Sequence, residues 1–207
     1  MSRNFFLSVF VVGLGLVMSL PARAADGFGK LPTADGGKSS PLLIRILRYQ
    51  GGTNGAITVD IKNPTSEPQG FSAKGLYFVP RSNANEAPQR LGAVGPFLLL
   101  GAGRHERRDG MTIDAGATER LSIDVYCIDS HRASPGAATS FRIAKDRVPA
   151  ALSRAIEADV HQAARPYGGV SAAPARSAVQ SEVWKNRDKK WIELDGEGAQ
   201  EQLKRHR

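Results

Sequence analysis

Cysteine is nearly absent from this chain of 207 residues, which contains Cys127 alone. A single cysteine excludes an internal disulfide, so the fold must be held by its core and its hydrogen bonds. Three roles remain open for Cys127: a buried and inert thiol, a link to a second chain, or a group used in chemistry.

Long apolar runs are also scarce, and the chain has one, from Phe5 to Leu20. It is short for a membrane span, which needs roughly twenty apolar residues. Arg3 precedes the run, Pro21 ends it, and Ala22-Arg23-Ala24 has the small residues of a cleavage site. The pattern predicts a signal peptide over 1–24 and export to the periplasm or the cell exterior. No integral membrane span is expected after cleavage.

Acidic residues are in deficit, with 20 Asp and Glu against 28 Lys and Arg, a formal net charge of +8. The predicted signal peptide removes Arg3 and Arg23 and no acid, which leaves +6. Such an excess aids solubility and favours acidic partners, here an acidic polysaccharide or another envelope protein. Gly101-Ala102-Gly103 lacks the third glycine of a phosphate-binding loop, and no cofactor is predicted. Sequence-specific binding of nucleic acid is not predicted either.

Short apolar stretches separated by turns dominate the middle of the chain. In the segment 56–62, Ile57, Val59 and Ile61 alternate with polar residues, as in a strand with one buried face. Further strands are predicted at 42–49, 75–79, 97–100, 111–114 and 121–128, the last two as a hairpin. The pattern predicts a mainly β protein: an immunoglobulin-like antiparallel β-sandwich over 41–146, preceded by a flexible leader over 25–40 and followed by a C-terminal helical segment.

The periodicity changes after the sandwich. Leu152, Ile156 and Val160 recur at every fourth residue, which predicts an amphipathic helix from 149 to 164. A second helix is predicted from about 177 to 187. We therefore expect a helical segment over 147–195 packed on the sandwich, and a polar tail over 196–207.

Cys127 falls on the same face of its strand as Leu121, Ile123 and Val125, which predicts a core position. A second hypothesis comes from two short motifs, Tyr126-Cys127-Ile128-Asp129 and Val179-Gln180-Ser181-Glu182-Val183-Trp184. They resemble the motifs of bacterial surface thioester domains. The resemblance implies that the Cys127 sulfur and the Gln180 side-chain carbonyl join with loss of ammonia, giving an electrophile that captures amines.

Gln180 has a structural alternative, because Ser177 and Gln180 have the spacing of a capping box. Asp129 and His131 follow the Cys127 strand and are candidate ligand contacts, as are the two tryptophans, Trp184 and Trp191. No catalytic constellation and no metal-ligand spacing is visible, and a hydrolase using His131 or His105 is the least favoured class. The sequence thus predicts an exported, non-enzymatic binding or envelope-associated module, with the thioester domain as the alternative.

Overall fold

The computed structural model describes residues 27–33, 40–82, 87–101, 104–189 and 193–195, with the backbone alone for 104 and 105. The predicted signal peptide, Trp191 and the predicted polar tail lie outside these residues. In the described part of the chain, no helix is both long enough and apolar enough to cross a membrane.

The described strands form one large antiparallel sheet and one small sheet. The large sheet has eight strands and is nearly barrel-shaped, in the order β1-β2-β3-β9-β6-β5-β10, with β7 paired to β6; β4 and β8 form the small sheet. The bounds are β1 Gly29–Lys30, β2 Leu43–Tyr49, β3 Ala56–Lys62, β4 Gln69–Phe71, β5 Tyr77–Pro80, β6 Leu91–Gly101, β7 Arg104–Arg108, β8 Met111–Ile113, β9 Thr118–Cys127 and β10 Phe141–Ile143. The mainly β prediction is confirmed, whereas an immunoglobulin-like sandwich is not.

The inner face of the large sheet encloses the main core. Alternate residues of β3 and β9 point inward, among them Ile57, Val59, Ile123 and Val125, all fully buried. The β4–β8 pair adds Phe71 and other side chains to the same cluster. The inward-facing residues predicted from the sequence are therefore confirmed for both strands. The prediction that β3 has one buried face is wrong, because Thr58 and Asp60 on its other face are also buried.

Two helices cover part of the outer face of the sheet. They are α1 Ala150–Ala164 and α2 Arg176–Lys189, joined by 3-10 turns at Arg165–Tyr167 and Ala173–Ala175. A second cluster lies between the helices and the sheet, and its members come from both: Val79, Tyr126, Ile128, Leu152, Ile156, Val160, Val179 and Val183. The predicted amphipathic helix is thus confirmed, and β9 is buried on both faces near its end.

Three local expectations were wrong. The segments 111–114 and 121–128 do not form a hairpin, because β8 pairs with β4, while β9 pairs with β3 and β6. The charged stretch Arg104–Arg108, where no strand was predicted, forms β7 and pairs with β6. Within the predicted flexible leader, β1 pairs with β2 and Leu31 is buried.

Candidate functional site

Cys127 is the last residue of β9 and lies opposite Leu91 of β6. Its side chain is fully buried in the main core, as the alternation predicted. Burial, and after it the charge of Asp129, raises the pKa of the Cys127 thiol to about 12. At neutral pH the sulfur is therefore held as the unreactive thiol.

Gln180 lies in α2 and is buried directly against Cys127. Its side-chain Nε2 donates to the Cys127 carbonyl at 2.7 Å, and its Oε1 accepts at 3.0 Å from the Cys127 N–H, which also donates to the Thr53 carbonyl at 2.9 Å. The carboxamide thus pairs with the end of β9 as one residue of an added strand would. The structure brings the two predicted residues together through the backbone of Cys127.

The capping-box prediction is wrong. Helix α2 begins at Arg176, which is already helical, so Ser177 lies inside the helix and is not its N-cap. Both polar atoms of the Gln180 side chain are used by Cys127. Gln180 lies instead on the helix face that packs on the sheet, whereas Ser177 is exposed.

Asp129 is fully buried in an ion pair with Arg90, which is also fully buried. Its two carboxylate oxygens accept from Nε and Nη2 of Arg90 at 2.9 and 2.6 Å, and Nη1 of Arg90 donates to the carbonyls of Leu194 and Asp195. Burial alone would raise the pKa of Asp129, but the hydrogen bonds and charge of Arg90 outweigh it and hold that pKa below its ordinary value. The carboxylate thus faces Arg90 inside the fold.

The other predicted contact residues have different surroundings. His131 is exposed in the turn that follows Asp129. Trp184 is half-buried, and its indole N–H donates to the Gln89 side chain at 3.0 Å. Among the described residues, no group of three His, Cys, Asp or Glu side chains could hold a metal ion. A ligand site built from these residues stays a prediction.

A larger concave feature lies where the barrel fails to close, between β2 and β10. Their Cα atoms approach to within 8 Å, but the described sheet has no ladder between them. An open groove of about 770 Å³ follows this gap. We call it the seam groove, and its lining residues come from the start of the chain, β2, the end of β5 and β10: Gly27, Gly29, Ile44–Tyr49, Arg81 and Ala137–Ile143.

The backbone of β10 presents peptide groups to this groove. The Arg81 N–H donates to the Ser140 carbonyl and the Ala144 N–H to the Tyr77 carbonyl, which fixes the ladder with β5. In that register the peptide groups of Phe141 and Ile143 point away from β5, towards the seam. The Arg81 side chain bends over this edge, and its Nε donates to the Phe141 carbonyl at 3.1 Å.

The β2 side of the seam is also open over part of its length. β1 pairs with β2 at Leu43 and Ile44 only, and it fills one end of the gap, where a Cβ on Gly29 would lie 3.7 Å from Ile143. Beyond it, a bulge at Leu47 interrupts the β2–β3 register. Leu47 is 39% exposed there, an unusual exposure for a large apolar side chain in this protein.

Of the residues that the structure describes, four arginines and no carboxylate line the seam groove. Arg45 is paired with Asp60 at 2.6 Å and Arg142 with Asp195 at 2.6 Å. In the described part of the chain, no carboxylate lies within salt-bridge distance of Arg48 or Arg81. The groove therefore combines open strand edges with an uncompensated positive charge.

Sequence reasoning missed this groove, because its residues come from distant parts of the chain. One local signal was present: Arg45, Leu47 and Arg48 interrupt the polar and apolar alternation of an otherwise apolar strand. Such a break is typical of a strand whose outer edge and face are not covered.

Comparison with protein-family models, with characterised proteins and with solved structures found no match to this chain.

Proposed function

We propose that this protein is an exported, non-enzymatic binding module that holds an extended acidic segment of another envelope protein in the seam groove. The observation that carries the proposal is the gap between β2 and β10, which is unpaired and is lined by arginines without a carboxylate among the described residues. An added strand would form backbone hydrogen bonds with one of these two edges, because strands that come within 8 Å of each other leave no room for a third strand bonded to both. The lining side chains would select its sequence.

The edge has the backbone groups that strand addition needs. The N–H and C=O groups of Phe141 on β10 face the seam. On β2, the Gln50 N–H donates to the Ala56 carbonyl, and in that register the N–H and C=O groups of Tyr49 also face the seam. Natural proteins usually protect a strand edge by covering it or shortening it. Within the described residues, β1 pairs with two residues of β2, and the proposed partner would take the edge that this pairing leaves.

The charge of the groove selects the partner. Arg48 is exposed, and Arg81 uses Nε on the Phe141 carbonyl, so its two terminal amino groups can bind an acidic side chain. A positive cleft also raises the local concentration of acidic segments and speeds their association.

A protein segment fits this groove better than an acidic polysaccharide. Sugar rings commonly stack on exposed aromatic faces, but the aromatic side chains at the seam, Tyr49 and Phe141, are buried and pack edge-to-face at 5.3 Å. The lining instead offers peptide groups and guanidinium groups. Binding of polysaccharide without binding of peptide would overturn the proposal.

The decisive experiment measures the fluorescence anisotropy of a labelled peptide of alternating Val and Glu, about eight residues long, on titration with the protein. We expect saturable binding that is lost when alternate backbone nitrogens of the peptide are methylated, because methylation removes the N–H donors of the added strand. A peptide of alternating Val and Lys is the charge control and should not bind.

Matched variants locate the binding surface. Arg48→Glu should weaken binding by about tenfold or more, whereas Arg154→Glu, the same change on the exposed face of α1, should leave it within about twofold. Equal affinities for the two variants, or binding that tolerates methylation, would contradict strand addition in the seam groove. Dextran sulfate tests the polysaccharide alternative in the same assay.

Export is part of the proposal and has its own test. N-terminal sequencing of the protein recovered from the producing cell's periplasm or medium should begin at Ala25. A protein that stays in the cytoplasm with Met1 in place would contradict it.

A second candidate function is covalent attachment through a thioester of Cys127 and Gln180. It is supported by the burial of the Gln180 carboxamide against the Cys127 peptide group. Intact mass tests it, because thioester formation makes the chain lighter by one ammonia and methylamine would then add to it. An adduct that is absent from both Cys127→Ala and Gln180→Glu would favour attachment over the binding module.

A further inference from the structure

The outer face of the large sheet carries a charged surface beside the two helices. Its side chains alternate along β2, β3, β9 and β7 with those that point into the main core. Two groups of three ionic residues lie on it, and each group has one aspartate between two arginines. We call this surface the outer basic face, and its two triads are Arg45–Asp60–Arg120 and Arg107–Asp124–Arg176.

The first triad runs across three neighbouring strands. Asp60 of β3 lies opposite Arg45 of β2 on one side and Arg120 of β9 on the other. It accepts from Nη2 of Arg45 at 2.6 Å and from Nε and Nη2 of Arg120 at 2.8 and 3.2 Å. The Asp60 side chain is 3% exposed, whereas that of Arg120 is 55% exposed. The carboxylate thus lies beneath guanidinium groups that face the solvent.

The second triad joins the sheet to the start of α2. Asp124 of β9 accepts from Nη1 of Arg107 at 2.6 Å and from Nη1 and Nη2 of Arg176 at 3.4 Å. Nε and Nη2 of Arg176 also donate to the carbonyls of Asn54 and Gly55, both at 3.0 Å, which fixes this guanidinium group. Asp124 is again less exposed than Arg107.

Both triads are prepared to bind an anion. Each aspartate is shared by two arginines, so each triad keeps one positive charge. In the part of the chain that the structure describes, Nη1 of Arg120 and Nη2 of Arg107 donate to no atom. Guanidinium groups match the paired oxygens of a carboxylate, and groups already held in place lose little conformational entropy on binding.

The spacing of the triads favours an extended ligand. Arg120 and Asp124 are four residues apart on β9, which places the two triads about 13 Å apart along the strand. Thr58 and Ser122 lie opposite each other between them and bring hydroxyl groups to the same face. A small ion cannot reach both triads. A flat lipid bilayer would meet the nearly barrel-shaped sheet along a narrow line, whereas a polymer can follow its curvature.

We propose that the outer basic face binds an acidic polysaccharide. Carboxylate groups of the polymer would pair with Arg107 and Arg120, and its hydroxyl groups would form hydrogen bonds with Ser122. Neither Arg107 nor Arg120 lines the seam groove, so this surface goes beyond the proposed function and can be tested apart from it.

The test uses a labelled oligomer of galacturonic acid, a carboxylated polysaccharide, and follows its fluorescence anisotropy on titration with the protein at physiological ionic strength. We expect saturable binding to the wild type that weakens by about tenfold or more in the double variant Arg107→Gln, Arg120→Gln. In that variant each aspartate keeps its other arginine, and thermal unfolding should show that the fold is retained. Arg107→Gln alone carries the test if the double variant does not fold.

The matched control is the double variant Arg154→Gln, Arg165→Gln, which removes the same charge from the exposed side of α1 and the turn after it. Its affinity for the oligomer should stay within about twofold of the wild type. Equal losses in the two double variants would overturn the inference, because general charge would then explain the binding. Sedimentation with phosphatidylglycerol vesicles, without binding of the oligomer, would also overturn it and would indicate a membrane surface.

Three results separate this inference from the proposed function. Binding of the oligomer without binding of the Val-Glu peptide would support the outer basic face and overturn the strand-accepting groove. Peptide binding without oligomer binding would overturn the outer basic face and keep the groove. A loss of oligomer affinity in Arg81→Gln, with none in Arg107→Gln, Arg120→Gln, would place the polysaccharide in the seam groove and overturn the inference.

Discussion

Single residues at the end of β9 join the helical layer to the barrel. The Gln180 carboxamide completes the hydrogen bonding of the Cys127 peptide group from α2. Gln180→Glu should therefore destabilise the protein by about 2–4 kcal/mol, because a buried carboxylate oxygen would face the Cys127 carbonyl without a proton to share. If Gln180 closed a capping box, Gln180→Glu would not lower the free energy of unfolding, because glutamate serves that cap as well as glutamine does.

Chemical denaturation of Gln180→Glu beside Ser177→Ala measures the difference. Ser177 is exposed within α2, so Ser177→Ala should change the free energy of unfolding by no more than about 0.5 kcal/mol. If Gln180→Glu left the free energy of unfolding unchanged and Ser177→Ala lowered it, the capping box would be supported and the hydrogen bonds to Cys127 would be contradicted.

The Arg90–Asp129 pair carries a pH dependence. Asp129→Asn should cost about 3–5 kcal/mol at neutral pH, because it leaves the Arg90 charge buried without its counter-ion. The pKa of Asp129 is lowered in the folded state, so its contribution is complete above the ordinary aspartate pKa of about 3.9. The contribution is lost as the pH falls from there through the lower folded-state pKa.

Urea unfolding of the wild type and Asp129→Asn at several pH values tests this sign. The gap between their free energies of unfolding should be widest near pH 6 and should narrow below about pH 4, because asparagine does not titrate. Asp60 and Asp195, whose pKa values are also lowered, are common to both proteins and cancel in the difference. A gap that is constant with pH would show that Asp129 is not ionised in the folded protein.

At the scale of elements, β6 changes partners halfway along. Its register with β9 is interrupted between Ala93 and Phe97; its first part also pairs with β5 and its second with β7. A Cβ on Gly92 would come within 2.8 Å of the Ile128 side chain, which belongs to the cluster beneath the helices. Gly92 thus allows β6 and the helical layer to approach each other.

Gly92→Ala should destabilise the protein by about 1–3 kcal/mol, since the added methyl group displaces Ile128 from a packed cluster. Gly70→Ala is the control: Gly70 is also in a strand, but an added Cβ there meets nothing within 4 Å. Thermal unfolding should show a lower Tm for Gly92→Ala and an unchanged or slightly higher Tm for Gly70→Ala. Equal changes in Tm for the two variants would mean that backbone entropy, rather than contact with Ile128, determines the change in stability.

The sequence predicted the elements whose periodicity reflects one buried face. That rule holds for the inner faces of β3 and β9 and for the buried stripe of α1. The strand predicted at 97–100 covers only part of β6, because Gly95 and Pro96 are residues that usually end a strand. In the structure both lie inside β6, at the point where its pairing with β9 is interrupted. β7 was missed because its residues are charged, and the pairing of β8 with β4 depends on contacts that no local pattern encodes.

The candidate sites divide in the same way. Cys127 and Gln180 were singled out from short motifs and do meet, but the hydrogen-bonding role of the glutamine depends on where α2 crosses β9. The seam groove could not be predicted, because it depends on how far β10 stops short of β2 when the sheet curls. That distance is set by registers along the whole sheet and by the bulge at Leu47.

For the whole molecule, residues 193–195 connect the end of the helical layer to the sheet. Arg90 binds the carbonyls of Leu194 and Asp195, the Tyr77 hydroxyl accepts from the Asp195 N–H, and the Asp195 carboxylate pairs with Arg142. Leu194 is buried in the cluster beneath the helices. This short connection also positions Arg142, which lines the seam groove.

Leu194→Ala should therefore have two effects. It should lower the free energy of unfolding by about 2–3 kcal/mol, the usual cost of removing a buried leucine side chain. It should also weaken binding of the Val-Glu peptide in the seam groove, because Asp195 would then hold Arg142 less firmly. Glu193→Ala, a change at the exposed neighbouring residue, should leave both quantities within error. Denaturant unfolding and peptide anisotropy on the same samples would measure both, and a loss of stability without a change in peptide affinity would show that the connection supports the fold alone.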